Sequence, residues 1–232
     1  MQTFEFNSKI YHKKINRRTI SHPIIAVILI IILLTLSLCF IKAFPKSNTV
    51  DYYFVSADCL QAYSQAEKLS RKVADSGGAG YCLYDKKYYI LVSVYLDEQS
   101  ANNVKDIISD DYPNAQIYKL SINKYTDYPA ITSQSLSTIY KLLKCYTNYS
   151  MNNISYDQLL IGLIQIKDEY YKEYESFIDE HKSNSRLNPI KEHLSNINDS
   201  LNTLTTVEEH GISQALLYHT SSIILDLYYA SV

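Results

Sequence analysis

An uncharged apolar run near the amino terminus places the strongest constraint on this 232-residue chain. Residues 23–41 are 19 consecutive residues without a charged side chain, and only Thr35 and Ser37 among them are polar. A helix of this length rises about 28 Å, which matches the hydrocarbon thickness of a bilayer, where a backbone must satisfy its own hydrogen bonds. The run therefore predicts a transmembrane helix over 23–41, in contact with the lipid bilayer.

The charges on the two sides of this run predict its orientation. Segment 1–22 carries five basic side chains against the single Glu5, whereas Lys42 and Lys46 are the only basic residues in the ten positions after the run. Positive residues are preferentially retained in the cytoplasm, so 1–22 is predicted to be a cytoplasmic basic tail. We therefore expect a single-pass protein of the cell membrane, with a cytoplasmic amino terminus and an extracytoplasmic ectodomain.

Two other interpretations of the apolar run stay open. A cleaved signal peptide needs a shorter apolar core and a small-residue cleavage site, and neither is clear in this sequence. Residues 36–39 resemble a lipoprotein processing site, but Leu38 stands where a small residue is wanted before Cys39. An uncleaved anchor fits the sequence better than either alternative.

The composition after the run indicates a folded ectodomain that does not bind nucleic acid. Apolar residues make up 47% of the chain and charged residues 20%, which is typical of a chain that buries a core. After Lys42 the chain has 16 basic and 23 acidic residues, a formal net charge of −7. A nucleic-acid-binding domain usually has the opposite sign, clustered on one surface.

Strand and helix signals alternate in two similar halves after a linker predicted over 42–51. Apolar residues at three- and four-residue spacing predict helices around 62–73 and 101–108, and Ser76-Gly77-Gly78 is expected to end the first of them. Aromatic and β-prone residues predict strands over 52–57, 81–84, 88–96 and 115–120. The order βαββαβ predicts an α+β fold, with one antiparallel sheet and two helices on one face.

The residues of these two halves resemble the SPOR (sporulation-related repeat) domain. The resemblance is carried by Tyr53–Leu60 with Ala66 and Leu69, and by Tyr89–Leu96 with Ala101. It predicts a SPOR-like domain over 52–122, about 70 residues. The resemblance implies binding of septal peptidoglycan, favouring glycan strands without stem peptides, through the open face of the sheet. The chain departs from the family at Ser56, Asp58 and Leu60, where the family often has Gln, Gly and Phe.

The segment after 131 has helical periodicity and predicts an α-helical domain of about four helices over 131–232. Asn188 is predicted to cap the third helix, and Thr206 with Glu209 to form a capping box for the fourth. The apolar stripes are carried by Leu136, Ile139, Tyr140 and Leu143; by Leu159, Leu160, Leu163, Ile166, Tyr170, Tyr174 and Phe177; by Ile190, Leu194, Ile197, Leu201 and Leu204; and by Ile212, Leu216, His219, Ile223 and Leu227.

No residue pattern in the chain indicates catalysis, so we expect no enzyme, no cofactor and no metal site. A glycine-rich segment, 76–80, lacks the Lys-Ser/Thr of a phosphate-binding loop, and no nucleophile with its base is evident. A disulfide between Cys59 and Cys82 is not expected, because the first and second strands are not neighbours in the usual order of this fold. The histidines of the helical segment lack metal-ligand spacing: His181, His193, His210 and His219.

Side-chain alternation along the two central strands predicts the residues of the open sheet face. If Val55, Ala57, Leu91 and Ser93 point to the helices, the candidate glycan or partner face consists of Phe54, Ser56, Ile90, Val92 and Val94. An apolar patch of this kind is seldom left bare on a soluble domain. We therefore expect the helical segment, or else a partner protein, to cover it.

The strand tyrosines admit two interpretations. Aromatic side chains on an open sheet can stack on sugar rings, but tyrosine also has a high strand propensity and half-buries well. The residues concerned are Tyr52, Tyr53, Tyr88, Tyr89 and Tyr95.

These features lead to two functional hypotheses. The first is a membrane-anchored envelope protein that recognises septal peptidoglycan, or a septal partner, in endospore formation. The second is a membrane-tethered protein–protein interaction scaffold whose sheet no longer binds glycan and whose helical tail recruits a septal or sporulation membrane protein. The layout of an anchor, a SPOR-like domain and a helical tail is similar to that of membrane proteins of endospore formers.

Overall fold

The computed structural model describes residues 48–231. The predicted basic tail, the predicted transmembrane helix over 23–41 and the first six residues of the predicted linker lie outside the described residues. In the described part the fold is α+β, with four strands and six α-helices. None of these helices combines the length and the apolarity needed to cross a membrane.

Four antiparallel strands form one sheet, and the predicted βαββαβ order is confirmed. The strand order is β2-β3-β1-β4, so β3 lies between β1 and β2. The first strand begins three residues before its predicted start, inside the predicted linker, because Thr49 and Val50 pair with the end of β4. The strands are β1 (Thr49–Leu60), β2 (Tyr81–Asp85), β3 (Lys87–Tyr95) and β4 (Gln116–Asn123).

The two helices that connect the strands, α1 (Tyr63–Asp75) and α2 (Glu98–Ile108), lie on one face of the sheet. Just after α2, the ring of Tyr112 lies 5.1 Å from Lys72 Nζ of α1. The helix α1 ends at the predicted glycines, where Gly77 has a φ of +86° that favours glycine. The core on this face is a small cluster of Ala57, Ala66, Val73 and Ile90.

Four further helices pack on the other face of the sheet, and we call them the helical layer. Among them, α6 lies directly against β2, β3 and β4 and also packs on α3 and α5. Because one large core joins the sheet to all four helices, the described residues belong to one compact unit. The helices are α3 (Pro129–Ser150), α4 (Tyr156–Glu180), α5 (Asn188–Leu204) and α6 (Ile212–Ser231).

Two of the predicted helix starts differ in detail. The residue Asn188 is helical and does not cap α5, since a 3₁₀ turn over Ser185–Leu187 runs directly into the helix. A second 3₁₀ turn precedes α6, and the Thr206 hydroxyl donates back to the carbonyl of Thr203 (2.8 Å). The predicted capping box at Thr206 is therefore wrong, because the turn replaces it. A capping box does begin α4, at Ser155.

Candidate functional site

Two of the five residues that the sequence assigns to the open sheet face, Phe54 and Val94, are covered by the helical layer. Phe54 is completely buried and Val94 is 3% exposed, in the core shared with α3–α6. At the β2 side of the sheet, Gln214 Nε2 of α6 donates to the carbonyl of Ala79 (3.0 Å). The helical layer therefore covers the sheet face that carries Phe54 and Val94 and closes it to a ligand, whereas Ile90 and Val92 of the predicted patch lie on the α1 side.

The five residues assigned to that face do not lie on one side of the sheet. Phe54 and Val94 point to the helical layer, whereas Ile90 and Val92 pack against the α1 side. Ser56 is also completely buried. Its hydroxyl is engaged by backbone carbonyls, at 3.2 Å from that of Ile90 and 2.7 Å from that of Asp58.

Two irregularities in the pairing of β1 with β3 explain why strict alternation fails. Val55 pairs with Ser93, but the next residue of β1 pairs with Leu91, so one residue of β3 is extra. A second register shift, with the extra residue on β1, follows before Cys59. An extra residue in a strand reverses the alternation beyond it. Leu91 therefore lies in the core shared with the helical layer, although alternation assigns it to the α1 side.

A groove lined by tyrosines runs between the end of the sheet and α3. Its first part is a cleft of about 430 Å³ between the end of β3, the start of α2 and α3. The α3 wall includes Tyr140, Leu143, Lys144 and Thr147, whose i, i+3, i+4, i+7 spacing puts them on one helix face. Tyr140 is 57% exposed, and Leu96 of the sheet end is 40% exposed. The cleft is therefore accessible and partly apolar.

A second cleft, of about 640 Å³, adjoins the first. The two clefts share Leu96, Asp97 and Tyr140, and the second one continues along the start of β1 from Thr49 to Tyr53. We call the two clefts together the tyrosine groove. Because Tyr140 lines both clefts and is largely exposed, its ring is a central contact surface of the groove.

Two carboxylates of the tyrosine groove, those of Asp51 and Asp97, are held by hydrogen bonds. Lys119 Nζ lies 2.8 Å from a carboxylate oxygen of Asp51, and the Ser121 hydroxyl donates to the other oxygen at 2.7 Å. These bonds lower the pKa of Asp51 below its ordinary value. The pKa of Asp97 is lowered chiefly because its carboxylate accepts from the backbone N–H of Ser100 (2.7 Å). Both groups are therefore fixed, ionised acceptors at neutral pH.

This combination of groups suits a polar ligand that contains rings. Exposed aromatic faces pack against the apolar side of such a ligand, while carboxylates, hydroxyls and amides bind its hydroxyl groups. The tyrosine groove offers Tyr95, Tyr140 and Tyr146 for the first kind of contact, and Asp97 and Asn148 for the second. A saccharide strand has this chemistry.

The cysteines of the described part of the chain do not line the tyrosine groove. In that part of the chain, no group of three or more His, Cys, Asp or Glu side chains is placed to hold a metal ion. Cys59 and Cys82 are free, with β3 between their strands, and Cys145 is free as well. Burial raises the pKa of the Cys82 and Cys145 thiols, which makes them weak nucleophiles.

The four histidines of the helical segment lie in separate environments. His193 Nδ1 lies 3.0 Å from a carboxylate oxygen of Asp226. His219 is half-buried, and burial lowers its pKa. His181 packs against Phe177, with ring centroids 4.7 Å apart. His210 Nδ1 lies 3.4 Å from a carboxylate oxygen of Glu208, and both side chains are exposed.

Sequence reasoning missed the tyrosine groove because it assigned Tyr140 to the buried stripe of α3. The side chain lies at the edge of that stripe, where it is exposed. A signal was present in the spacing of Tyr140, Lys144 and Thr147, which forms a second, amphipathic row along the same helix. Tyr95, on the sheet side, is one of the strand tyrosines that the sequence offers for stacking.

Comparisons with known proteins identify no relative, since no protein-family model, curated protein or solved structure matches the chain. The geometry of the tyrosine groove is therefore the basis on which a function is inferred.

Proposed function

We propose that the protein is a single-pass, membrane-anchored protein of the cell envelope that binds septal peptidoglycan in endospore formation, with the tyrosine groove as its binding surface. The predicted anchor over 23–41 and the SPOR resemblance over 52–122 support this proposal. The βαββαβ order, with β3 between β1 and β2, fits a SPOR-like domain. The layout is also similar to that of stage II sporulation protein B of endospore formers.

The observation that carries the proposal is the exposed Tyr140 ring between two clefts with ionised carboxylates. In a SPOR domain the open sheet face is expected to hold the glycan. Here the helical layer occupies that face, so a glycan strand has to bind elsewhere. The tyrosine groove combines aromatic and polar groups at the end of the same sheet, and it is large enough for sugar rings.

A weak glycan contact is sufficient for localisation in this arrangement. The membrane anchor keeps the ectodomain near the envelope, so glycan binding becomes an intramolecular step with a high effective concentration. Membrane anchoring and glycan binding in the tyrosine groove therefore strengthen each other, and a large binding interface is not required.

The test is co-sedimentation of the full chain, in detergent, with purified sacculi that are either intact or treated with an amidase. We expect Tyr140→Ala to lower the bound fraction about fivefold, because a central aromatic anchor contributes more than about 1 kcal/mol to binding. The matched control is Tyr171→Ala, which removes a ring that is 43% exposed on α4, outside the groove. Amidase treatment should increase binding of the unchanged chain.

Normal sedimentation of the Tyr140→Ala protein would exclude the groove as the glycan site. Failure of the unchanged chain to sediment with either kind of sacculus would exclude glycan binding itself.

A second candidate function is a membrane-tethered scaffold whose helical layer recruits a septal or sporulation membrane protein. It is favoured by the covered sheet face and by two isoleucines exposed one turn apart on α4. Ile161 is 66% exposed and Ile164 is 41% exposed, and partner helices dock on apolar pairs of this kind. Septal localisation without any binding to sacculi would favour this function over the first.

A further inference from the structure

A small pocket at the end of α4 shares no residue with the tyrosine groove. It encloses about 200 Å³ between the last two turns of α4 and the segment 127–131, where α3 begins. This volume corresponds to about seven water molecules, so it has room for one unbranched side chain but not for a folded peptide.

Three aromatic rings that line this pocket lie against one another. The centroid of Tyr128 lies 5.3 Å from that of Phe177 and 5.4 Å from that of His181, and the last two rings are 4.7 Å apart. Their planes meet at angles of 81°, 70° and 65°. Phe177 is almost completely buried, while Tyr128 and His181 are half-buried and line the opening. Aromatic faces carry partial negative charge and attract cations.

The rim of the pocket is negatively charged. Asp127, Glu173 and Glu180 line it, and within residues 48–231 none of the three forms an ion pair with a basic side chain. The helix α4 ends at Glu180, and the carbonyl end of a helix adds partial negative charge. Since no described group of acidic side chains is placed to hold a metal ion, the complementary ligand is an organic cation.

We propose that this pocket binds the side-chain ammonium group of a lysine in a partner protein. The methylene chain of the lysine packs on the rings of Tyr128 and Phe177, and the ammonium group meets Glu173 and Glu180 at the rim. The size of the cavity, its aromatic lining and the carboxylates that form no ion pair among residues 48–231 each favour this ligand. The net charge of −7 after Lys42 further favours a basic partner.

The proposal is tested by titrating the detergent-solubilised full chain with the peptide acetyl-Gly-Lys-Gly-amide. The matched ligand replaces lysine by norleucine, which keeps the methylene chain and removes the charge. Calorimetry and the ring resonances of Tyr128 and His181 report binding. We expect the lysine peptide to bind and to shift both rings. The norleucine peptide should bind at least about fivefold more weakly, because the charge contacts with the two glutamates at the rim are lost.

Charge-neutral variants locate the site. Glu173→Gln and Glu180→Gln should each weaken binding of the lysine peptide about threefold, as expected for partly exposed charge pairs. The control Glu175→Gln removes the same charge from the same helix at an exposed position outside the pocket, and it should leave binding unchanged. Tyr128→Leu tests whether the aromatic ring of Tyr128 contributes to binding of the lysine peptide. The circular dichroism melting curve of this variant shows whether the fold is retained.

Three results would overturn the proposal. If Glu175→Gln weakened binding of the lysine peptide as much as the two pocket variants do, the peptide would be held by the overall negative charge of the protein and not by the pocket. If the norleucine peptide bound with the same affinity as the lysine peptide, the pocket would recognise only the apolar part of the side chain and not its charge. If the lysine peptide did not bind the unchanged chain, the pocket would not be a lysine-binding site.

Discussion

Buried tyrosine hydroxyls distinguish this core at the scale of single residues. Tyr170 is completely buried and its hydroxyl donates to the carbonyl of Leu194 (3.1 Å). Burial raises the pKa of Tyr170 and of Tyr52 well above the ordinary value. The pKa of Tyr118 is also raised, first by burial and then by a hydrogen bond to Asp85 (3.1 Å). In the folded protein these three hydroxyl groups therefore stay protonated at a pH at which the tyrosines of an unfolded chain are already ionised.

The raised pKa values predict that the protein loses stability in alkaline solution. Unfolded tyrosines ionise near pH 10, so above about pH 10 the unfolded state binds fewer protons than the folded state, and the free energy of unfolding falls. The stability is fully present below about pH 9. Urea unfolding midpoints at pH 8 and at about pH 10.5 measure the loss. The change should be smaller in Tyr52→Phe and unchanged in Tyr63→Phe, since Tyr63 is 58% exposed. Equal midpoints at the two pH values would contradict the prediction.

At the scale of elements, the sheet separates two hydrophobic cores, one on each of its faces. Adjacent residues of β3 point to different sides, since Leu91 belongs to the core of the helical layer and Ile90 to the cluster beneath α1. Both are completely buried. This pair therefore allows the two sides to be perturbed independently.

We expect Leu91→Ala and Ile90→Ala each to lower the free energy of unfolding by about 2–4 kcal/mol, the usual cost of such a cavity. Their local effects should differ. Amide hydrogen exchange should accelerate in α6 for Leu91→Ala and in α1 for Ile90→Ala, because each cavity lies beneath a different helix. Each variant is the control for the other. The same exchange pattern in both would show that the two residues do not face different helices.

The elements themselves were predictable because their apolar residues repeat with a fixed period. Leu194, Ile197 and Leu201 mark the buried side of α5 in the sequence, and the structure buries all three. The bulge in β3 was not predictable in this way, because Val92 is as β-prone as its neighbours and nothing local marks it as extra. The tyrosine groove could not be predicted from the sequence either. It depends on the approach of Tyr140 to Leu96, which are distant in the sequence and meet only in the folded chain.

At the scale of the whole molecule, the charge asymmetry around residues 23–41 predicts which part of the protein faces the outside of the cell. In a background without native cysteines, we introduce one cysteine at Ser8 or at the exposed Ser183, which lies between α4 and α5. A thiol reagent that does not cross membranes should label Ser183→Cys on intact cells and should leave Ser8→Cys unlabelled until the cells are lysed. Labelling of Ser8→Cys on intact cells would reverse the orientation.

The position of α6 determines when the fold can be completed. This helix of 20 residues is synthesised after every other element in the described part, yet it lies directly on three of the four strands. Until it emerges, the strand residues beneath it, such as Leu91 of β3, lack part of their cover. Contacts between distant parts of a chain form slowly, and exposed apolar strands attract aggregation and proteolysis in the meantime. The nascent chain therefore passes through a vulnerable interval whose length is set by the synthesis and docking of α6.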